Sequence, residues 1–208
     1  MVGIAQPEAL CGRDKFHSDR QEIKTGFVRS QSNKENRILI LKNRNIMNTL
    51  NYLHLDEKRV ADVVTALHLL LADFQIHYTN LRGFHWDIKG HGFFVLHSKF
   101  EDLYNDTAEK IDEIAERILT LGSVPSNKFS DYLKVARIKE ISGVTCGSEA
   151  VEHILSTYGH LIGEERKVLD LAAEAGDEVT VSLMSDYLKE QEKMVWMLVA
   201  YSSCDCKK

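Results

Sequence analysis

HWDIKGHGFFVLHSKFEDLYNDTAEKIDEIAE runs from His85 to Glu116 and carries two patterns on one backbone. Gly90 and Gly92 mark a tight break between two helical runs, with His85 before it and His97 after it. Beyond the break the spacing predicts one long helix, Phe93 to Leu121. At about 100° per residue, Leu96, Phe100, Leu103, Thr107, Ile111, Ile114, Ile118 and Leu121 fall within an arc of roughly 80°, the width of an ordinary core face. Beside it lies a second arc carrying His97, Glu101, Tyr104, Ala108, Asp112, Ala115 and Glu116. Metal-ligating side chains beside a core stripe ask for a chemical reason.

Spacing supplies one. His97 and Glu101 are i, i+4 and share a face, and Asp112 and Glu116 repeat the arrangement. Between His97 and Glu116 the helix rises about 28 Å at about 1.5 Å per residue. Metal bonds to nitrogen and oxygen are only about 2.0–2.2 Å long, so one chain cannot gather all these groups on one ion. An antiparallel second copy can. A two-fold axis near Asn105–Ala108 would set His97 and Glu101 of one chain opposite Asp112 and Glu116 of the other, giving two equivalent sites per dimer. Ala108 and Ala115 would let the helices approach, and imidazole with carboxylate suits iron or zinc. Taken singly, each residue has a plainer reading: a lone histidine or an acid pair is an ordinary surface feature. Glu109, Lys110 and Glu113 read as a solvated face, and His91 as an exposed residue in the break. His68, His77, His153 and His160 lack a convergent carboxylate pattern and read as structural. Trp196, within MVWMLVAY, reads as core.

The rest of the chain reads as an all-α bundle of four long helices. Two prolines and glycines confined mostly to breaks favour helices, and 208 residues at 44% apolar can bury a sizeable core. Asp56 is a plausible N-cap for a first helix whose stripe is Val60, Val63, Val64, Leu67, Leu70, Leu71, Phe74, Tyr78 and Leu81. That helix should run to about Ile88. A connection from Ser123 to Gly147 is too long to be structureless, and residues 130–137 read as a short helix within it. Ser148 should begin the third long helix, ending at Gly176, and Asp177 should cap the fourth, running to about Ser203. Neither of these last two helices holds the Glu-x-x-His motif that would build a metal site inside one bundle.

Charge divides the chain. Residues 1–46 lack a sustained period and hold nine basic and five acidic residues, 9 − 5 = +4. Residues 47–208 therefore carry (26 − 9) − (31 − 5) = −9. The segment 1–46 is either an irregular basic extension able to hold DNA by its phosphates, or lies ahead of a start at Met47. The four-helix domain is residues 47–208. Cys204 and Cys206 form a C-x-C pair at the tail, with reduced thiols the plainer reading. No apolar run approaches the roughly 20 residues of a membrane span, and no secretory pattern opens the chain, so a cytoplasmic protein is expected.

Several motifs carry a family resemblance: FHWDIKG, then FF-x-LH, then FE-x-LY, then D-x-IAER-x-x-x-LG, in that order and spacing. Here the chain, over about Asn48 to Ser203, resembles the Dps-type mini-ferritins. The resemblance implies a ferritin-like four-helix bundle, its extra short helix in the long connection between the second and third helices. It implies a site between subunits that oxidises ferrous iron, with His85, His97 and Glu101 from one subunit and Asp112 and Glu116 from its partner. Many members have Asp where this chain has Glu101. It further implies a second role for Trp86, an oxidisable ring beside the iron, where the bare sequence favours packing. Twelve subunits built from two-fold dimers, hydrogen peroxide as the preferred oxidant and a ferric oxide mineral in a hollow shell follow from the same resemblance. In such shells the turn between the last two helices lies near a three-fold axis. Glu174, Asp177 and Glu178 in that turn would then line an acidic entry for iron, although by itself the turn reads as solvated. The rival reading is a DNA-compacting protein acting through residues 1–46, with its iron site secondary; the −9 of the remainder speaks against it.

Overall fold

The computed structural model of the protein describes residues 49–203, and every regular element among them is helical. They are α1 (Thr49–Leu53), α2 (Glu57–Asp87), α3 (Phe93–Thr120), α4 (Phe129–Val135), α5 (Gly147–Ala175) and α6 (Glu178–Ser202). The basic segment 1–46 and the pair Cys204 and Cys206 lie outside the described residues.

Apolar periodicity makes the four long helices, and their stripes close into one core. Asp56 caps α2, accepting from the Lys58 and Arg59 amides at 2.8 and 3.2 Å. Short breaks join α2 to α3 and α5 to α6, which makes each an antiparallel pair. α2 packs on both α3 and α5, and α5 packs on α6. Of the eight residues on the predicted α3 stripe, Ile111 is half-buried and the others are buried. α2 is long and apolar enough, by length and composition, to cross a membrane, although no uninterrupted apolar run is. Here 56% of that apolar window is buried inside the bundle.

The long connection is fastened to α2 by two buried polar side chains. Asp73 Oδ1 accepts from the Arg137 and Ile138 amides at 2.6 and 3.1 Å, and its Oδ2 accepts from His160 Nε2 at 2.8 Å. Two turns on, Asn80 Oδ1 accepts from the Ile141 amide and its Nδ2 donates to the Lys139 carbonyl, both at 2.9 Å. These bonds give backbone groups of an irregular segment partners that no regular element supplies.

Three expectations need correction. α5 begins at Gly147, not Ser148, and the chain at this point lies against Leu96: a Cβ at position 147 would come within 2.4 Å of Leu96 Cδ1. Cys146 occupies the capping position, its Sγ 3.1 Å from Ser148 Oγ. Trp196 is not core; it is 67% exposed. Gln191 and Leu198 set the inward arc of α6, and Trp196 lies about 140° round the helix from Gln191. Lys110 does not belong to a solvated face either. It is 4% exposed, its ammonium 2.5 Å from Asp106 Oδ1 and 2.7 Å from Glu190 Oε2.

Candidate metal centre

His85 ends α2 and His97 lies in the second turn of α3, so the glycine break brings them face to face. Gly90 and Gly92 take φ of 81° and 87°, the left-handed region where a Cβ is strained, and Gly92 forms the N-cap of α3. The two imidazoles stack with centroids 3.7 Å apart and planes at 20°. Each is held by the other's backbone: His85 Nδ1 donates to the His97 carbonyl and His97 Nδ1 to the His85 carbonyl, both at 2.8 Å. A carbonyl can only accept, so each Nδ1 carries the hydrogen. The neutral ring then has its lone pair on Nε2, the atom that binds a metal. The pair is a preformed two-nitrogen face, with His85 buried and His97 half-buried.

Around it stand aromatic rings. Phe93 stacks on His97 with centroids 5.0 Å apart, and Tyr104 meets the His85 ring edge-on at 5.3 Å. Partial burial raises the Tyr104 phenol above its ordinary value, and the adjacent Glu101 carboxylate adds to that shift. Trp86 does not pack into the core. It is 64% exposed, with the Arg82 guanidinium 4.6 Å above its ring.

The carboxylates stand elsewhere. Glu101, Asp112 and Glu116 are all exposed on the outer stripe of α3, apart from the buried residues of the core stripe. Among the described residues of one chain, no three His, Cys, Asp or Glu side chains gather on a common point. A single chain therefore presents a histidine pair and a separate acid pair on one surface.

In the turn between α5 and α6, Glu174 and Glu178 are exposed, but Asp177 is 2% exposed and turned inward. It caps α6 through the Thr180 amide at 3.1 Å and pairs with the Arg117 guanidinium, whose Nε donates to Thr180 Oγ1 at 2.8 Å. Asp177 is thus withdrawn from any acidic opening, because burial next to Arg117 satisfies its charge inside the bundle. Lys110, Arg117, Asp73 and Asn80 are polar residues whose structural work the sequence reading missed. Their one signal was a polar side chain at or beside a core-facing position of a helix. Lys110 is held above its ordinary value: burial pulls it down, and the hydrogen bonds it donates to Asp106 and Glu190 outweigh that.

Four long helices, a fastened crossover and a histidine pair at the first helix break define a ferritin-like bundle, and a ferritin-like domain model matches residues 64–203. A DNA protection during starvation protein of Porphyromonas gingivalis is 52% identical over 149 residues, 72% of this chain and 94% of that relative. A DNA protection during starvation protein 2 of Bacillus anthracis is 39% identical, over 67% of this chain and 95% of its own length. Among solved structures, the Dps protein of Vibrio cholerae O1, described as a member of a broad superfamily of ferritin-like diiron-carboxylate proteins, matches with TM-score 0.72 and 47% identity. The match covers 76% of this chain and 99% of that one. The Dps protein of Bacillus brevis matches with TM-score 0.67 and 35% identity, covering 69% and 97%. The chain belongs to the ferritin-like family, as a Dps-type mini-ferritin.

Proposed function

We propose that this chain oxidises ferrous iron at sites shared between two subunits and stores the ferric product as a mineral inside a hollow, cytoplasmic shell. The shell would be a dodecamer of two-fold dimers. The observation that carries this reading is the aim of the two histidines. Both Nδ1 atoms are engaged by backbone, which leaves both Nε2 atoms free of the backbone to bind metal. Asp112 and Glu116, exposed on the same helix, supply charge to the other half of a site in the partner.

Ferrous iron is the substrate. Two nitrogens orient it and carboxylates neutralise it, favouring the ferric state whose higher charge they stabilise. Two ferrous ions give one electron each to a hydrogen peroxide, which takes two protons and leaves as two waters. Peroxide and ferrous iron are thereby removed together. Glu101, one turn along α3 from His97, would add a third charge, and Trp86, exposed and adjacent in sequence to His85, would give up an electron when only one ferrous ion is present.

Complementation tests the shared site. A His85→Ala/His97→Ala chain and an Asp112→Ala/Glu116→Ala chain should each be inactive. In a mixed dimer one site loses four ligands and the other keeps all of them. Co-refolded mixtures should regain ferrous oxidation that neither parent has. Mixed dimers, proven by mass, that stay as inactive as their parents would sink the shared-site reading.

A second reading draws on the relatives' names, which speak of DNA protection. DNA would be repelled by the −9 of residues 47–208 and attracted by the +4 of residues 1–46. A gel shift at low salt separates the two: binding by full-length protein that vanishes for residues 47–208 assigns it to the extension.

A further inference from the structure

α5 and α6 bury a carboxyl group and an amide side by side. Glu165 on α5 is 0% exposed and Gln191 on α6 is 3% exposed. Gln191 Nε2 donates to Glu165 Oε1. Two oxygens remain, Glu165 Oε2 and Gln191 Oε1, both buried and neither with a hydrogen-bond partner. If the carboxyl is ionised, these are two buried acceptors without a donor among the described residues, an arrangement native proteins avoid. A single hydrogen satisfies both. The acid O–H of Glu165 donates to the amide oxygen of Gln191 while the amide N–H donates to the acid's other oxygen, closing a ring of two hydrogen bonds.

We propose that Glu165 is a proton-binding site at the centre of the bundle, where its acid form closes this ring with Gln191, and that releasing the proton loosens α6 from α5.

The neighbouring charges leave that proton in place. From α3 comes Lys110, whose ammonium is already engaged by Asp106 and Glu190. On α5 itself, Arg166 is exposed and paired with Glu192, and Tyr158 is a buried phenol pushed well above its ordinary value by burial. From α6, Tyr187 donates its hydroxyl to Glu113 at 2.7 Å. The inward titratable groups of α2 are Asp73, fixed by His160 and two amides, and His77, which burial pushes down to about 3. Among the described residues, the two cations that act on Glu165, Lys110 and Arg166, are both already paired with other carboxylates. Burial raises its carboxyl from 4.5 to about 7, against smaller opposing pulls from Gln191, Lys110 and Arg166. The unfolded chain loses this proton near 4.5 and the folded chain near 7, so folding takes up a proton between those values. Stability is then greatest below about 4.5 in this respect, falls as pH rises towards about 7, and levels off above it.

Infrared spectroscopy of the intact oligomer reads the proton directly. At about pH 6, where surface acids are ionised, the protein should show the carbonyl stretch of a protonated carboxylic acid. The band should shift in heavy water, fade on titration to about pH 8 and be absent from Glu165→Gln. In that variant two amides close the same ring without a titrating proton. Its denaturation midpoint should therefore change less between about pH 5 and 8 than the parent's. A parent spectrum without the band at about pH 6 overturns the proposal whether or not the variant folds; an ionised carboxylate bridged by water would give that result. Parallel stability curves for parent and variant would overturn it as well.

Discussion

α3 carries two sets of charged side chains a few residues apart, and the fold treats them in opposite ways. On its inner edge, Lys110 and Arg117 are buried and saturated: Lys110 by two carboxylates, Arg117 by Asp177 and Thr180. On its outer stripe, Asp112 and Glu116 are exposed, and their carboxylates make no hydrogen bond or ion pair among the described residues. In the sequence Lys110 reads as part of a solvated face and Asp112 with Glu116 as an acid pair at ligand spacing; neither reading names a partner within the chain. The difference is whether the chain supplies its own counter-charge. Where it does, the charges hold α6 against α3. Where it does not, two acids aligned one turn apart are left for something outside the chain, which is the pattern a shared metal site requires.

The sharpest way to break this contrast is to remove a candidate ligand. His97→Ala or Asp112→Ala should each slow ferrous oxidation by at least about tenfold, the scale on which even indirect metal contacts act. The thermal midpoint of the metal-free protein should stay near the parent's, since both side chains lie off the core stripe. Stopped-flow oxidation with calorimetry on the same samples checks both halves, and parental oxidation rates in both variants would remove these residues from the site. The inner set should respond in reverse. Arg117→Ala leaves Asp177 buried without its cation and should cost about 3–5 kcal/mol. That corresponds to a midpoint lowered by about 2–4 °C per kcal/mol for a chain of this size. Oxidation per folded oligomer should be unchanged; urea titration measures the first and activity normalised to folded protein the second. The smallest effect should come from the α5–α6 turn. With Asp177 withdrawn, Glu174→Gln/Glu178→Gln should slow iron uptake modestly at low ionic strength, and the difference should fade as the screening length shortens to about 8 Å at physiological salt. Equal uptake by variant and parent at low salt would return this turn to an ordinary solvated loop.

The fold was legible because it rests on periodicity. The α3 stripe, the Asp56 and Asp177 caps and the short helix in the crossover follow from local spacing, and the structure has them. What escaped depended on distant partners. Asp73 and Asn80 serve residues about sixty positions away, and Lys110 reaches Glu190 eighty positions away. Nothing in the α2 or α3 sequence names those partners. The five-residue α1 was missed because one helical turn has too few residues to show a period. Trp196 misled for another reason. An apolar run such as MVWMLVAY covers every side of a helix, and composition cannot say which side turns inward. At the candidate centre the spacing of His85 and His97 was readable, while the crossed bonds between each ring and the other's carbonyl were not, since they pass through backbone.

Those crossed bonds bear on how the site tolerates sequence change. The acceptors that aim the rings are main-chain atoms, present whatever side chain stands at 85 or 97. Replacing one histidine removes a candidate ligand and leaves the other ring its acceptor. A lineage losing His97 would keep His85 aimed and could recover the pair by a single reversion. Drift at the glycine break is different. A residue that cannot hold the left-handed turn at Gly92 would move the His97 carbonyl away from the His85 ring, disturbing the pair without touching either imidazole.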